Sequence, residues 1–191
     1  SGIAEVMHNL GFSVTGSDSG KSVIIDHLIG VGINIYPSHS EKNTMGVDVL
    51  VVSSAIKDTN PEIKSAKNKK IPIIPRAEML SELMRFKKGV AIAGTHGKTT
   101  TTSMTAAILS KGNLDPTYVI GGRLNVINVN AKLGLGDLFI VEADESDASF
   151  LHLNPIDAVI TNIDRDHLET YQGDFERLKK TYVDFIHQTP F

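Results

Sequence analysis

Residues 94–100 read Gly-Thr-His-Gly-Lys-Thr-Thr, a glycine turn that ends in a lysine and hydroxyl side chains. Gly94 and Gly97 have no Cβ, so the backbone there can approach a phosphate closely. The Lys98 ammonium can bind the terminal phosphates of a nucleotide, and the Thr99 hydroxyl can ligand a magnesium ion. The spacing therefore predicts a phosphate loop that binds a nucleoside triphosphate.

A strand before this loop and a helix after it must hold the loop in place. Residues 90–93 are apolar and typical of a buried strand, and the segment from Lys98 to Gly112 has the pattern of a helix. The first N–H groups of such a helix have no partner within it, and together with the helix dipole they favour an anion. The sequence thus predicts a strand, a phosphate loop and a helix in succession.

The loop is a variant of the strict pattern G-x-x-x-x-G-K-[ST], because position 92 holds isoleucine where the pattern has its first glycine. The alternative is a glycine turn that simply leads into an ordinary helix. Residues 99–102 are all threonine, which is a poor helix former because of its β-branch. Since local rules tend to be broken where function demands it, this run favours the functional interpretation.

Acidic and histidine side chains follow two later apolar runs, each predicted to be a parallel strand. Glu142 begins an acidic segment after the first run, and Asp166 and His167 follow the second. Because the carboxyl ends of parallel strands meet at one edge of a sheet, we expect these side chains to converge near the phosphate loop. Glu142 offers the oxygen ligands that magnesium prefers, whereas His167 offers nitrogen and ranks below Glu142 or Asp166 on coordination chemistry alone. A solvated acidic turn is the alternative.

Helices and strands alternate through residues 1–87, which predicts a Rossmann-like α/β layer with a parallel sheet. Such a layer normally opens with a strand and a glycine turn, and both are missing here, so we interpret the start as truncated or disordered. The predicted helices are at residues 1–11, 22–29, from 60 and at 76–85, and the strands are at 12–15, 33–36, 47–52 and 71–74. Later elements are strands at 117–120 (before Gly121-Gly122), 138–141 and 158–161, and a helix at 173–187.

Two strand ends in the first layer carry polar side chains that can contact a ligand. Asp18 follows the strand at residues 12–15 and can bind a ribose hydroxyl, or it can cap the next helix instead. Ser53 and Ser54 close the strand at residues 47–52 and are weaker candidates for substrate binding.

A basic link, Arg-Phe-Lys-Lys at residues 85–88, precedes the strand of the phosphate loop. We therefore predict two domains. Residues 1–87 form the Rossmann-like domain, and residues 88–191 form part of a phosphate-loop ATPase domain with a mainly parallel sheet.

The composition limits the kinds of protein that this chain can be. Its 191 residues have a formal net charge of −3, which gives no basic surface for nucleic acid. No cysteine is present, which excludes disulfides and cysteine nucleophiles and fits a cytoplasmic location. No apolar run reaches the length of a membrane span, so we expect no membrane insertion. The oligomeric state stays open.

Four longer segments carry a more specific pattern: IPRAEMLSELMR, GTHGKTTTTSM, EADESDASFLHLNP and TNIDRDHLETYQGDF. Together they resemble the Mur ligases, the ATP-dependent ligases of peptidoglycan synthesis, and the resemblance runs along nearly the whole chain. It implies that ATP phosphorylates the carboxylate of UDP-N-acetylmuramate to an acyl phosphate. L-alanine would then attack this acyl phosphate, and the tetrahedral intermediate would lose phosphate to leave an amide.

The resemblance, carried over position by position, implies a role for each site residue. Lys98, Glu142 and His167 would be catalytic, with Lys98 on the β- and γ-phosphates, and Thr99, Glu142 and His167 would belong to the magnesium sites. Residues 1–87 would bind the UDP end of the substrate. The ATP-binding residues would be Gly94, Thr95, His96, Gly97, Lys98, Thr99 and Thr100.

Two other functions remain as alternatives. Histidine at position 96 also fits the related ligase that attaches a whole tripeptide, although residues 144–150 favour the alanine-adding type. A phosphate loop with acidic strand ends serves a phosphotransferase or another NTPase equally well. The family's glycine-rich turn for the UDP moiety and its C-terminal amino-acid-binding domain are absent from the sequence, so we expect a fragment of such a ligase.

Overall fold

The computed structural model describes residues 2–121 and 131–190, and the chain divides into two compact units. The first unit contains residues 3–79, and the second begins at Leu80. No helix in the two described ranges is long and apolar enough to cross a membrane.

The first unit alternates helices and strands, as the sequence predicts. Its elements are α1 (Gly2–Asn9), β1 (Thr15–Ser17), α2 (Val23–Gly30), β2 (Asn34–Tyr36), β3 (Leu50–Val52), α3 (Pro61–Lys69) and β4 (Ile73–Pro75). Strand β1 pairs in parallel with β2, and β3 pairs in parallel with β4. Within the described residues, these four strands form two separate two-stranded sheets. The predicted parallel α/β layer is confirmed in these pairs.

The first predicted strand is wrong in position, because β1 begins only at Thr15, the last residue of the prediction. Residues 11 and 12 belong to the turn that ends helix α1. The Phe12 N–H donates to Met7 O at 3.1 Å, and Gly11 has the positive φ of +92° that this turn needs. Phe12 is 53% exposed, so the apolar pattern there does not mark a buried strand.

The second unit places a mainly parallel sheet beside the phosphate loop. Its elements are α4 (Arg76–Met84, shared with the first unit), β5 (Lys88–Ala93), α5 (Lys98–Lys111), β6 (Thr117–Val119), β7 (Ala131–Lys132), β8 (Leu138–Glu142), β9 (Asp157–Ile160) and α6 (Phe175–Ile186). Within the described residues, the sheet has the order β7-β6-β8-β5-β9, and only β7 is antiparallel to its neighbour. The two-residue β7 has no periodic pattern and was not predicted. The predicted positions Ser1 and Gly122 lie outside the described residues.

Strand register brings the functional segments to one edge of this sheet. Ile92 in β5 pairs with Glu142 in β8, and Ala93 pairs with Ile160 in β9. The carboxyl ends of the three strands therefore lie side by side, as expected for parallel neighbours. The sheet supports them with a buried apolar cluster of Ile92, Ala106, Tyr118, Ile120 and Ile140.

The two compact units separate between Met79 and Leu80, within α4. The second half of this helix is buried at Leu83 and Met84, and its Ser81 hydroxyl accepts a hydrogen bond from Asn154 Nδ2 at 3.1 Å. These contacts join the C-terminal half of α4 to the second unit. The domain boundary near residue 87 stays a prediction.

Candidate active site

The phosphate loop leaves β5 through a glycine that packs against the residues just after β9. Gly94 has a φ of +131°, and a Cβ built there would lie 2.0 Å from Thr161 Oγ1 and 3.0 Å from Asn162 O. Gly97 has a φ of +81° and open space where a Cβ would stand. The two glycines therefore have different roles. Gly94 permits close packing of the loop on Thr161 and Asn162, and Gly97 permits a left-handed backbone turn where no other atom is near.

Helix α5 begins at Lys98 without a side-chain cap, because Gly97 occupies the N-cap position. Thr101 N donates to Gly97 O at 2.9 Å and closes the first turn. The N–H groups that precede it have no acceptor within the helix, which suits them to a phosphate. Thr100 is exposed at this helix start.

Several threonine and serine hydroxyls of this helix are bonded to the preceding turn. Thr102 Oγ1 donates to Lys98 O and Thr105 Oγ1 donates to Thr101 O, each at 2.8 Å, and Ser103 Oγ donates to Thr99 O. Such back-bonding gives each hydroxyl a partner within the helix but adds little to helix stability. Thr99 is different, since its side chain points to another partner.

The acidic segment of residues 142–147, which begins with the last residue of β8, contacts the two side chains that open α5. Thr99 Oγ1 donates to both oxygens of Glu142, at 2.9 and 3.1 Å, and Gly121 N donates to Glu142 Oε2 at 3.0 Å. The predicted pair of Thr99 and Glu142 is thus brought together. A hydroxyl and a carboxylate at this separation fit two of the oxygen ligands of a magnesium ion whose other ligands are phosphate and water.

Lys98 is held by a carboxylate that sequence reasoning missed. Its Nζ lies 2.7 and 3.0 Å from the two oxygens of Glu145 and 2.7 Å from Gly94 O. Glu145 is completely buried, and the Lys98 side chain is 13% exposed. Only the general acidity of residues 142–147 signalled this contact, since nothing in the sequence separates Glu145 from its acidic neighbours.

Two tyrosines from the end of the chain lie close to the buried carboxylate. Tyr171 OH donates to the Glu145 backbone oxygen, and burial raises the pKa of this phenol to about 12, helped by the Glu145 charge. Burial also raises the pKa of Tyr182, again with a contribution from the Glu145 charge. Tyr182 belongs to an aromatic cluster, with its ring centroid 5.3 Å from that of Phe150.

The segment after β9 holds the backbone of the phosphate loop. Asn162 Oδ1 accepts from His96 N at 3.0 Å, and Asn162 Nδ2 donates to His96 O at 2.8 Å. Thr161 Oγ1 also donates to His96 O, at 2.7 Å, and Asp164 N donates to Thr95 Oγ1 at 2.9 Å. Sequence reasoning missed Asn162 and Thr161, although both belong to the motif that contains His167.

His167 lies in the same segment but makes no contact with the pair of Thr99 and Glu142. It has a φ of +53°, and its Nε2 is 3.9 Å from Asp166 Oδ2. Within residues 2–121 and 131–190 it makes no hydrogen bond with Thr99 or Glu142, and no group of three or more His, Cys, Asp or Glu side chains has the arrangement of a metal site. The role of His167 at magnesium stays a prediction.

In the first unit, Asp18 lies at the exposed end of β1. Its carboxylate accepts from Gly20 N at 2.8 Å, while Ser22, not Asp18, caps α2 by accepting from Ile25 N. The capping alternative for Asp18 is therefore wrong. Ser53 and Ser54 follow β3 as predicted, and the role of all three residues in substrate binding stays a prediction.

A buried polar network that the sequence did not reveal stands next to Asp18. Glu62 is 8% exposed and accepts from Ser17 Oγ at 2.7 Å and from Asn43 Nδ2 at 2.6 Å. Ser17 Oγ also lies 2.8 Å from His39 Nδ1. These bonds fix the end of β1, where Asp18 begins.

The second unit defines a phosphate-loop α/β protein, with carboxylates beside the loop lysine and threonine. Two family models match the chain: "Mur ligase family, catalytic domain" over residues 1–88 and "Mur ligase middle domain" over residues 92–190. The chain belongs to the Mur ligase family.

Relatives within this family are similar along the whole chain. It is 58% identical over 191 residues to the UDP-N-acetylmuramate–L-alanine ligase of Neisseria gonorrhoeae, of which it spans 41%. The crystal structure of the UDP-N-acetylmuramate–alanine ligase of Thermotoga maritima matches with a TM-score of 0.90 and 32% identity, over 98% of this chain and 44% of that one. The tripeptide-adding ligase of Neisseria meningitides, named UDP-N-acetylmuramate:L-alanyl-γ-D-glutamyl-meso-diaminopimelate ligase, matches with a TM-score of 0.88 and 27% identity, over 99% of this chain and 64% of that one. The chain thus spans less than half the length of the alanine ligases.

Proposed function

We propose that this chain is the nucleotide-binding part of an ATP-dependent ligase that joins L-alanine to UDP-N-acetylmuramate. The observation that carries the proposal is the pairing of Thr99 with Glu142 at the start of α5, in a chain 58% identical to a ligase of that name. A cytoplasmic location belongs to the same proposal.

In the proposed reaction, the phosphate loop binds ATP through the N–H groups at the start of α5. Lys98 stabilises the charge that develops as the γ-phosphoryl group moves to the muramate carboxylate. Thr99 and Glu142 would hold magnesium, which offsets the same charge. L-alanine then attacks the acyl phosphate, and phosphate leaves as the amide forms.

The first unit would bind the UDP end of the substrate, with Asp18 at its exposed strand end. Its Oδ1 already accepts from Gly20 N, so the other carboxylate oxygen is the one that would accept a hydrogen bond from a ribose hydroxyl. Ser53 and Ser54 are the further candidates. Magnesium coordination by His167 is also part of the proposal and is the part with least support from the contacts described above.

The test is ATP turnover by a ligase of family length that carries this sequence. We expect ADP formation only when UDP-N-acetylmuramate and L-alanine are both present, with one amide formed for each ATP. Turnover with the tripeptide L-alanyl-γ-D-glutamyl-diaminopimelate in place of L-alanine would identify the alternative ligase, whose fold the chain shares at a TM-score of 0.88. ATP hydrolysis that ignores both co-substrates would instead indicate an NTPase.

A further inference from the structure

Glu145 is a buried carboxylate that the proposed reaction does not use. Its relative exposure is 0%, and the oxygens of its side chain meet the Lys98 ammonium at 2.7 and 3.0 Å. A carboxylate is rarely buried unless it is paired, because the desolvation of its charge is costly. The position of Glu145 therefore depends on Lys98, the residue expected to bind phosphate.

The hydrogen bonds of Lys98 can be counted. A lysine ammonium has three N–H donors. Gly94 O lies 2.7 Å from Nζ, the two Glu145 oxygens take the other close positions, and Thr95 O is farther at 3.4 Å. A phosphate oxygen can accept a hydrogen bond from Lys98 only if one of these protein acceptors gives way.

We propose that Glu145 is a positioning residue that holds the Lys98 side chain at the start of α5 and competes with nucleotide phosphates for its ammonium. The inference rests on the proposed nucleotide site. Two effects act in the same direction, because Glu145 occupies N–H donors of Lys98 and also places a negative charge close to an anionic ligand. Glu145 thus lowers the affinity of the loop for a nucleotide and favours its release after the reaction.

The test compares nucleotide binding by the 191-residue chain and by variants with nearly the same shape. Glu145→Gln removes the charge and keeps the side-chain size, and we expect it to bind MgADP about tenfold more tightly in calorimetry, the effect of one charge-assisted hydrogen bond. Asp147→Asn is the matched control, since it removes a charge from the same acidic segment at a residue whose carboxylate accepts from Ser149 N. It should leave the affinity unchanged.

A second pair of variants separates competition for Lys98 from simple charge repulsion. In a Lys98→Met background there is no ammonium to compete for, so Glu145→Gln should bring only the smaller gain in MgADP affinity that comes from removing its negative charge. A gain of the same size in that background would overturn the proposal. A purely structural role for Glu145 predicts weaker binding in the Gln variant, not tighter binding.

NMR of the lysine side chains in the wild-type chain gives the same test without a substitution. Nζ protons of Lys98 that are hydrogen-bonded to Glu145 should be visible in slow exchange, and MgADP should shift them as a phosphate replaces one carboxylate oxygen. If MgADP binds but these signals do not move, or if the Gln variant binds no more tightly, the role of Glu145 is overturned and the nucleotide site stands. If the folded wild-type chain binds no MgADP, both fail.

Discussion

The two segments that flank the phosphate loop act on different parts of it. The acidic segment of residues 142–147, at the end of β8, contacts side chains: Glu142 accepts from Thr99, and Glu145 accepts from Lys98. The segment after β9 contacts the backbone of the loop, because the Asn162 amide bonds to both the backbone N–H and the backbone C=O of His96. In the proposed function, the first segment would set the charge and the metal ligands of the site, and the second would set the shape of the loop whose N–H groups bind phosphate. Substitutions on the two sides should therefore fail in different ways.

We expect the largest effect from a substitution of Lys98, which the acidic segment contacts through Glu145. In a ligase of family length, Lys98→Ala should lower kcat by at least about 100-fold, because a group that stabilises transition-state charge is lost. The same variant should unfold more easily by about 3–5 kcal/mol, since Glu145 is left buried without its partner. Kinetics and thermal unfolding measure the two effects.

The double variant Lys98→Ala/Glu145→Gln is the control for this pair. It should recover part of the lost stability, because the buried charge is gone, but none of the lost turnover. Recovery of turnover would mean that Lys98 acts only through its ion pair.

The backbone side is tested by Asn162→Ala, for which we expect a smaller effect. The variant loses two hydrogen bonds to His96, so the loop is less well ordered and MgADP should bind about tenfold more weakly. Turnover at saturating ATP should stay close to normal, in contrast to Lys98→Ala. Asn154→Ala is a matched control, since its amide bonds to Ser81 away from the loop. An equal loss of MgADP affinity in both variants would remove the distinction between the two sides.

The sequence was sufficient for the order of the described helices and strands apart from β7, and for the pair of Thr99 and Glu142, because apolar runs mark buried parallel strands and polar residues at their ends converge. It could not separate Glu145 from the other acidic residues, since the burial of each carboxylate depends on the turns that residues 143–150 form. It could not identify Asn162 as a backbone clamp either, because such contacts join residues distant in sequence. The misplaced first strand has a local cause, the helix-ending turn at Gly11.

A substitution of His167 tests whether the segment after β9 also contributes a metal ligand. If it ligates magnesium, His167→Ala should raise the magnesium concentration needed for half-maximal turnover by roughly tenfold, the size of effect seen when a metal site loses supporting groups. Binding of the UDP substrate should change much less. Asp166→Asn is the comparison, since Asp166 Oδ2 lies 3.9 Å from His167 Nε2. A larger magnesium effect in Asp166→Asn than in His167→Ala would assign the ligand to Asp166.

The smallest effect expected on the charged side is the pH dependence of stability from Tyr171. Burial raises the pKa of this phenol from 10.0 to about 12, so the folded state favours the neutral form. The stability that this provides is fully present below pH 10 and is lost as the pH rises through about 12, because the unfolded chain releases the proton first.

Tyr171→Phe separates this titration from the hydrogen bond that the hydroxyl donates to the Glu145 backbone. The variant should be less stable near neutral pH by about 1 kcal/mol, the usual contribution of one hydrogen bond. Between pH 10 and about 12, however, its stability should fall less steeply than that of the wild type, because one titrating group is gone. The pKa of Tyr182 is also raised, but Tyr182 is present in both proteins. The difference between the two curves of unfolding free energy against pH therefore comes from Tyr171. Curves that stay parallel across this range would show that the phenol does not stabilise the Glu145 side of the site by staying neutral.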